Sequence, residues 1–204
     1  EQEHLVRLYQ EALAVPDVVG LVIGTRPDCM PNELLDYLTQ LHREKFVLVE
    51  YGVESTSDAT LERINRGHSY QCAVETIHRT AQRGLPVGAH FILGLPGETR
   101  EFTVNQAEII NQLPIDTLKL HQLQIIRGTA MAREFIRQRE RAAQDVTYTS
   151  DYSLYSAEEY ASLVVDFLEK LRPDIVVERF ASSSPQALLL APDWGLKNYE
   201  FVAL

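Results

Sequence analysis

The sequence predicts an α/β fold: a partial (β/α) TIM-like barrel whose parallel sheet forms an open arc. Three observations carry that expectation. Short apolar runs alternate with helical patterns along the chain, as βαβ units require. Polar residues recur inside or beside the strand patterns, namely Glu50, Glu54, His90, Lys119, His121 and Gln124, where a sheet covered on both faces reads as nearly continuous apolar runs. The apolar run Val87 to Leu93 stops abruptly at Gly94, Pro96 and Gly97, and Glu98 and Thr99 then open a helical pattern. In α/β folds that end of a strand is where ligands bind, although a plain turn uses the same residues. The alternation alone also fits a doubly wound sheet; the polar positions favour a barrel arc with a lined, functional interior.

The elements follow in order. Leu5, Leu8, Tyr9, Ala12 and Leu13 share one helical face. Val18 to Gly24 is a short strand. Pro31 starts a helix with Leu34, Leu35, Leu38 and Leu41 inward. Phe46 to Val53 is the second strand. Ser57 or Asp58 caps a short helix through Ile64, and Ser69 caps a longer one with Ala73, Val74, Ile77 and Ala81 inward. Gly84 suits the turn that ends it. Leu85 to Leu93 is the third strand, Phe102 to Leu113 a helix stopped by Pro114, and Thr117 to Ile126 the fourth strand. Thr129 begins a helix through about Arg141, whose Arg133, Arg137 and Arg139 read as a solvated face. Polar residues from Ala142 to Tyr155 read as a mobile loop, with Tyr148, Tyr152 and Tyr155 as a lid or as packing anchors. Ala157 to Leu171 is helical, and Ile175 to Phe180 is the fifth strand.

Composition sets bounds on function. The 204 residues suffice for one domain, 1–204, with a substantial core, and no Gly/Ser-rich linker divides them. A net charge of −10 argues against a dominant nucleic-acid surface, which needs a concentrated basic face. No apolar run reaches the roughly 18 residues of a membrane span. Two cysteines, Cys29 and Cys72, make a disulfide framework improbable and point to a reducing, cytoplasmic setting.

Several segments resemble one family. Val49-Glu50-Tyr51-Gly52-Val53-Glu54-Ser55, with Leu61 to His68 after it, is similar to the fourth strand and following segment of radical S-adenosylmethionine (SAM) enzymes. Val87 to Thr99 resembles their fifth strand and its Gly-x-Ile-x-Gly-x-x-Glu-type motif. Gly24-Thr25-Arg26-Pro27-Asp28 resembles the third-strand ending of elongator-catalytic-subunit-like members. Lys119 to Leu123 with Arg127-Gly128-Thr129, and the tail from Glu178-Arg179-Phe180 to Trp194, resemble the YhcC-type subgroup. The resemblance spans nearly the whole chain.

It implies a [4Fe–4S] cluster on a Cys-x-x-x-Cys-x-x-Cys loop, which this sequence lacks. Three thiolates must leave one iron open for SAM. The simplest reading makes residues 1–204 the C-terminal two-thirds of a longer barrel, with the cluster ligands elsewhere; a cluster-less relative is the other. The resemblance also implies roles. Arg66 would pair with the methionyl carboxylate, Glu54 and Ser55 would take the ribose hydroxyls, and Ile92 and Gly94 would pack against adenine. His90 and Gln124 join them as cofactor-binding positions, although His90 stands where the general motif has glycine and coproporphyrinogen-oxidase relatives have a carboxylate. Lys119, His121 and Cys29 are substrate-side candidates, while Cys29 also reads as a small buried residue and Cys72 has no role. No catalytic residue is assigned.

The function so implied is a fragment of a radical SAM Fe–S oxidoreductase. The intact protein would cleave SAM reductively to a 5′-deoxyadenosyl radical acting on an unknown substrate, with flavodoxin or ferredoxin as electron donor. The alternative is a cluster-free nucleotide-binding or scaffold module. RNA binding is a third, disfavoured by the acidic charge.

Overall fold

Five parallel strands line up in the order in which the chain makes them. In the computed structural model, which describes residues 2–204 and only the backbone of Asn198, α1 (Gln2–Leu13) precedes β1 (Gly20–Thr25). A single 3₁₀ turn, Pro27–Cys29, leads to α2 (Asn32–His42). Then come β2 (Phe46–Glu54), α3 (Asp58–Arg63), α4 (Tyr70–Ala81), β3 (Val87–Leu93), α5 (Arg100–Ile110) and β4 (Thr117–Gln122). The remainder is β5 (Ile125–Ile126), α6 (Ala130–Gln144), α7 (Ala157–Lys170), β6 (Val176–Arg179), β7 (Leu189–Ala191) and α8 (Asn198–Val202). The main sheet has the order β1-β2-β3-β4-β6, all pairs parallel. A doubly wound sheet reverses its order at a switch point. This one never does, so each crossover advances the chain one place around an arc.

Helix ends follow local chemistry. Ser57, Ser69, Thr99, Thr129 and Ser156 each accept the backbone N–H of the third residue onward, and Glu159 completes a capping box with Ser156. The convex face of the sheet is apolar. Val47, Val49, Tyr51, Val53, Ala89, Phe91, Leu93, Leu118 and Leu120 are buried there with Leu35 and Leu38 of α2, Ile77 of α4, Ile110 of α5 and Phe167 of α7. Tyr51 keeps one polar tie, its hydroxyl 2.7 Å from Thr80, and burial pushes its pKa up to about 12. A smaller cluster of Leu95, Leu123, Ile125, Phe135 and Tyr152 lies under α6.

Two expectations need correction. The single strand expected from Thr117 to Ile126 is broken after Gln122. Ser182 N–H donates to Gln122 Oε1 at 2.8 Å and Gln122 Nε2 donates back to Ser182 O at 2.8 Å, and β5 leaves to pair antiparallel with β7 in a separate ribbon. Gln124 therefore sits between strands. The stretch read as a mobile loop from Ala142 is helical through Gln144, and its remainder is tied down: Gly97 N–H donates to Asp151 O at 2.9 Å, Arg63 donates to Asp151 at 3.0 Å, and Tyr152 is buried. The ribbon and α8 had no counterpart in the sequence reading.

Candidate functional site

Strand alternation puts Glu50, His90, Ile92, Lys119 and His121 on the concave face. Here charge replaces oil. Lys119 Nζ lies 2.5 Å from Glu50 and 3.2 Å from Glu178. Burial works against its charge, but the two carboxylates outweigh that and hold its pKa above the usual lysine value. The Glu50 side chain crosses β3 over Gly88, where a Cβ would stand 2.8 Å from Glu50 Cγ and 2.8 Å from Thr117 Oγ1. Glycine is what lets the acid of β2 meet the lysine of β4.

Nearer the C-terminal ends of the strands, Glu54 is the hub. It is 8% exposed and adopts φ 74°, a left-handed conformation that costs a non-glycine residue about 1–3 kcal/mol and concentrates at functional positions. The β2–β3 register slips between Gly52 and Glu54, and that irregularity aims the carboxylate. Arg66, in the turn after α3, places Nη2 3.1 Å from Glu54 Oε1 and donates to Gly52 O at 2.6 Å. A Cβ on Gly52 would stand 2.5 Å from that guanidinium and 2.6 Å from Glu54. His90 Nδ1 lies 2.8 Å from Glu54 Oε2, out of line for a hydrogen bond. Glu54 Oε2, Arg66 Nε and His90 Nε2 are thus buried without hydrogen-bond partners. His90 and His121 meet edge to face, with centroids 4.0 Å apart. Burial, then His90, Arg179 and Lys119, push the His121 pKa down to about 3.

A cavity of about 440 Å³ opens at this end, lined by Arg26, Glu54, Asn65, Arg66, Ile92, His121, Gln122, Gln124, Met131 and Ser182 among others. Of the residues singled out in the sequence, Glu54, Arg66, Ile92, His121 and Gln124 line it together. Gln124 shares its amide with Ser182 O and its carbonyl with the Ser184 hydroxyl. His90 and Lys119 lie on the same face, just off the cavity.

Three others are elsewhere. Ser55 is fully buried beneath the site: its hydroxyl donates to Glu98 at 2.6 Å and accepts Ser57 N–H at 3.1 Å, so it is engaged within the chain rather than open to the cavity. Burial raises the Glu98 pKa, with Ser55 opposing it. Gly94 (φ 84°) is covered by the Tyr155 ring, which would be 2.9 Å from a Cβ there. Cys29 does not point into the cavity; it is exposed and lines a separate outer groove with Cys72 and Arg79.

Sequence reasoning missed Arg26, Asn65, Met131, Glu178 and Arg179. Arg26, paired with Asp28 at 2.5 Å, follows β1 directly, and a cation just past a strand end was the available signal.

The chemistry of the donor set tests what the site fits. Arg66 Nε is a buried donor and Glu54 Oε2 a buried acceptor, side by side at a cavity. A ligand with a carboxylate and vicinal hydroxyls supplies the missing halves of both. A metal cluster does not fit: among the described residues no group of three His, Cys, Asp or Glu side chains is placed to hold a metal ion.

Comparison with known proteins agrees with the fold. The family profile of the Radical SAM superfamily matches residues 1–104, and that of the Radical_SAM C-terminal domain matches residues 115–204. The chain belongs to the radical SAM superfamily. It is 31% identical to the uncharacterised protein YtqA of Bacillus subtilis over 97% of this chain and 58% of that protein. It is 34% identical to protein YhcC of Escherichia coli K12 over 95% of this chain and 59% of that protein. The chain thus spans under two-thirds of the curated relatives it matches. Among solved structures, the archaeal Elp3 of Methanocaldococcus infernus superposes with a TM-score of 0.69 at 21% identity, over 84% of this chain and 38% of that one. That likeness shows the shared parallel α/β arc.

Proposed function

We propose that this chain supplies the SAM-holding strands and the substrate face of a radical SAM enzyme. The observation that supports this most is the cavity in which Arg66 and Glu54, partly unpartnered, stand at the C-terminal ends of parallel strands. Arg66 holds the methionyl carboxylate, and the guanidinium fork suits that pairing. Glu54 accepts ribose hydroxyls, Ile92 packs against the adenine, and Gln124 closes the far wall. Lys119 and His121 face the substrate. Reductive cleavage of SAM belongs to the whole protein, because the thiolates it needs are not among the described residues; a flavodoxin or ferredoxin is the expected electron donor. The substrate is unassigned, and the acidic charge of −10 disfavours a broad nucleic-acid contact.

One observation favours a second reading, a cluster-free nucleotide-binding module: the two cysteines lie together on the outer groove, away from the cavity. Sequencing the coding region upstream for Cys-x-x-x-Cys-x-x-Cys separates the two. The residue assignments are tested by calorimetric titration of SAM into the reconstituted intact protein. Arg66→Ala weakens binding by about 1.5–3 kcal/mol, the scale of a hydrogen bond to a charged group, and Glu54→Gln weakens it less. Equal affinity for Arg66→Ala and wild type removes the assignment.

A further inference from the structure

One cation on the concave face is unaccounted for by the cofactor assignment, and the sheet is deformed to put it there. Across β4 and β6 the register runs Thr117 to Val176 and Leu118 to Val177, then jumps from Lys119 to Arg179. Glu178 is the extra residue of a bulge. In a regular strand, Glu178 and Arg179 point to opposite faces. The bulge cancels that alternation, and bulges characteristically re-aim a side chain beside a functional site. Both side chains reach concave-face residues of β4: Glu178 lies 3.2 Å from Lys119 Nζ, and Arg179 Nη1 lies 3.2 Å from His121 Nε2.

The two neighbours differ in what they do for charge. Glu178 joins an ion-pair network that already contains Glu50 and Lys119. Arg179 donates to an imidazole nitrogen, which accepts only when it carries no proton, so the guanidinium leans on an uncharged partner. Among the described residues it forms no ion pair, and it is exposed. The nearby acid Glu54 is engaged by Arg66, and Asp28 by Arg26. His121, which Arg179 touches, lines the cavity assigned above to SAM.

We propose that the β6 bulge turns Arg179 onto the concave face as the receptor for an oxyanion of the substrate, a carboxylate or a phosphate, held next to His121 at the edge of the cofactor cavity. The proposal rests on the cofactor reading only for its identification of the anion as the substrate's. A planar guanidinium with donors to spare takes either oxyanion by two parallel hydrogen bonds. His121 positions it from behind.

The test uses the full chain labelled on its histidines, without SAM. His121 ring resonances, assigned with His121→Gln, are followed by NMR during titration with inorganic phosphate and, separately, sodium acetate at constant ionic strength. A saturable shift with at least one anion is expected. Phosphate alone marks a phosphate-bearing substrate, acetate alone a carboxylate-bearing one, and both a site that reads the shared oxyanion. Arg179→Gln weakens the response about tenfold, as loss of one charge-assisted contact does; Arg179→Lys retains part of it, and Arg137→Ala leaves it unchanged. Circular dichroism checks the fold of each variant, and the lysine variant carries the comparison if the glutamine variant is unfolded. No saturable shift with either anion, or one that survives Arg179→Gln, overturns the proposal. SAM titration of the intact protein and its Arg179→Gln variant gives equal affinity; absence of SAM binding to the wild type sinks the cofactor reading while the anion result still stands.

Discussion

The convex and concave faces of this sheet are made by the same residues of chain taken alternately, yet they obey opposite rules. On the convex side Val49, Tyr51, Ala89, Phe91 and Leu118 have no exposure, and helices close over them. Tyr51 there pairs its hydroxyl with Thr80 of α4, a satisfied side-chain contact between strand and helix. On the concave side Glu50 holds Lys119 and His90 meets His121, and Glu54 Oε2, Arg66 Nε and His90 Nε2 still have no hydrogen-bond partner. Packing saturates, whereas a polar network stays open until every donor and acceptor is matched. Apolar packing closes the convex side of the strands, whereas the concave side keeps buried polar atoms at the mouth of a cavity.

The hardest way to break that contrast is on the convex side. Phe91→Ala leaves a cavity among residues that cannot collapse, and costs about 3–5 kcal/mol; urea unfolding followed by circular dichroism reads it. Crossing the faces comes next. Gly88→Ala puts a methyl 2.8 Å from Glu50 Cγ, in mid-chain, and 2.8 Å from Thr117 Oγ1, and the overpacking costs about 1–3 kcal/mol. A neutral outcome there shows that the Glu50–Lys119 crossing does not need the gap.

Protonation sharpens the comparison from the concave side. His121 titrates near 3 when folded against 6.5 as a free group, chiefly through burial and then through His90, Arg179 and Lys119. Between those values the unfolded chain binds the proton and the folded chain does not. The folded state therefore loses stability as pH falls below 6.5, and the loss is complete near pH 3. Urea midpoints at pH 7 and pH 5 separate more for wild type than for His121→Asn; equal separations assign the acid sensitivity elsewhere. The smallest effects lie outside both faces. Arg63→Ala, which unties Glu134 and Asp151, costs about 0.2–1 kcal/mol, since half-exposed ion pairs contribute little. Arg137→Ala, on a solvated helix face, stays within about 0.5 kcal/mol. Both are read by thermal unfolding, and a large loss at Arg137 removes the solvated-face assignment.

The convex face was the legible one. Its strands and helices follow apolar periodicity, and the caps at Ser57, Ser69, Thr99, Thr129 and Ser156 are local chemistry that a short window of sequence contains. On the concave face the residue types were visible but their aim was not. Glu54 looks like one more strand residue until its φ of 74° is known, and Glu178 and Arg179 look like opposite-facing neighbours until the bulge is seen. Ser55 illustrates the same limit, because nothing near it in sequence announces Glu98 and Gln106 as its partners. The break after Gln122 depends on Ser182, sixty positions onward. Each of these depends on a contact between distant segments, which periodicity does not encode.

The Arg66–Glu54 pair turns ligand entry into an exchange reaction. Glu54 already occupies the guanidinium. A guest that brings only a carboxylate can win Arg66, but it leaves Glu54 a buried anion with only the His90 imidazole beside it. A guest that brings only hydroxyls can serve Glu54, but it leaves the incumbent pair in place and gains little. A molecule carrying both swaps two partners at once and strands nothing. On the assignment proposed above, the site is a lock with two keys on one ring, indifferent to free amino acids and free nucleosides and receptive to the compound that joins them.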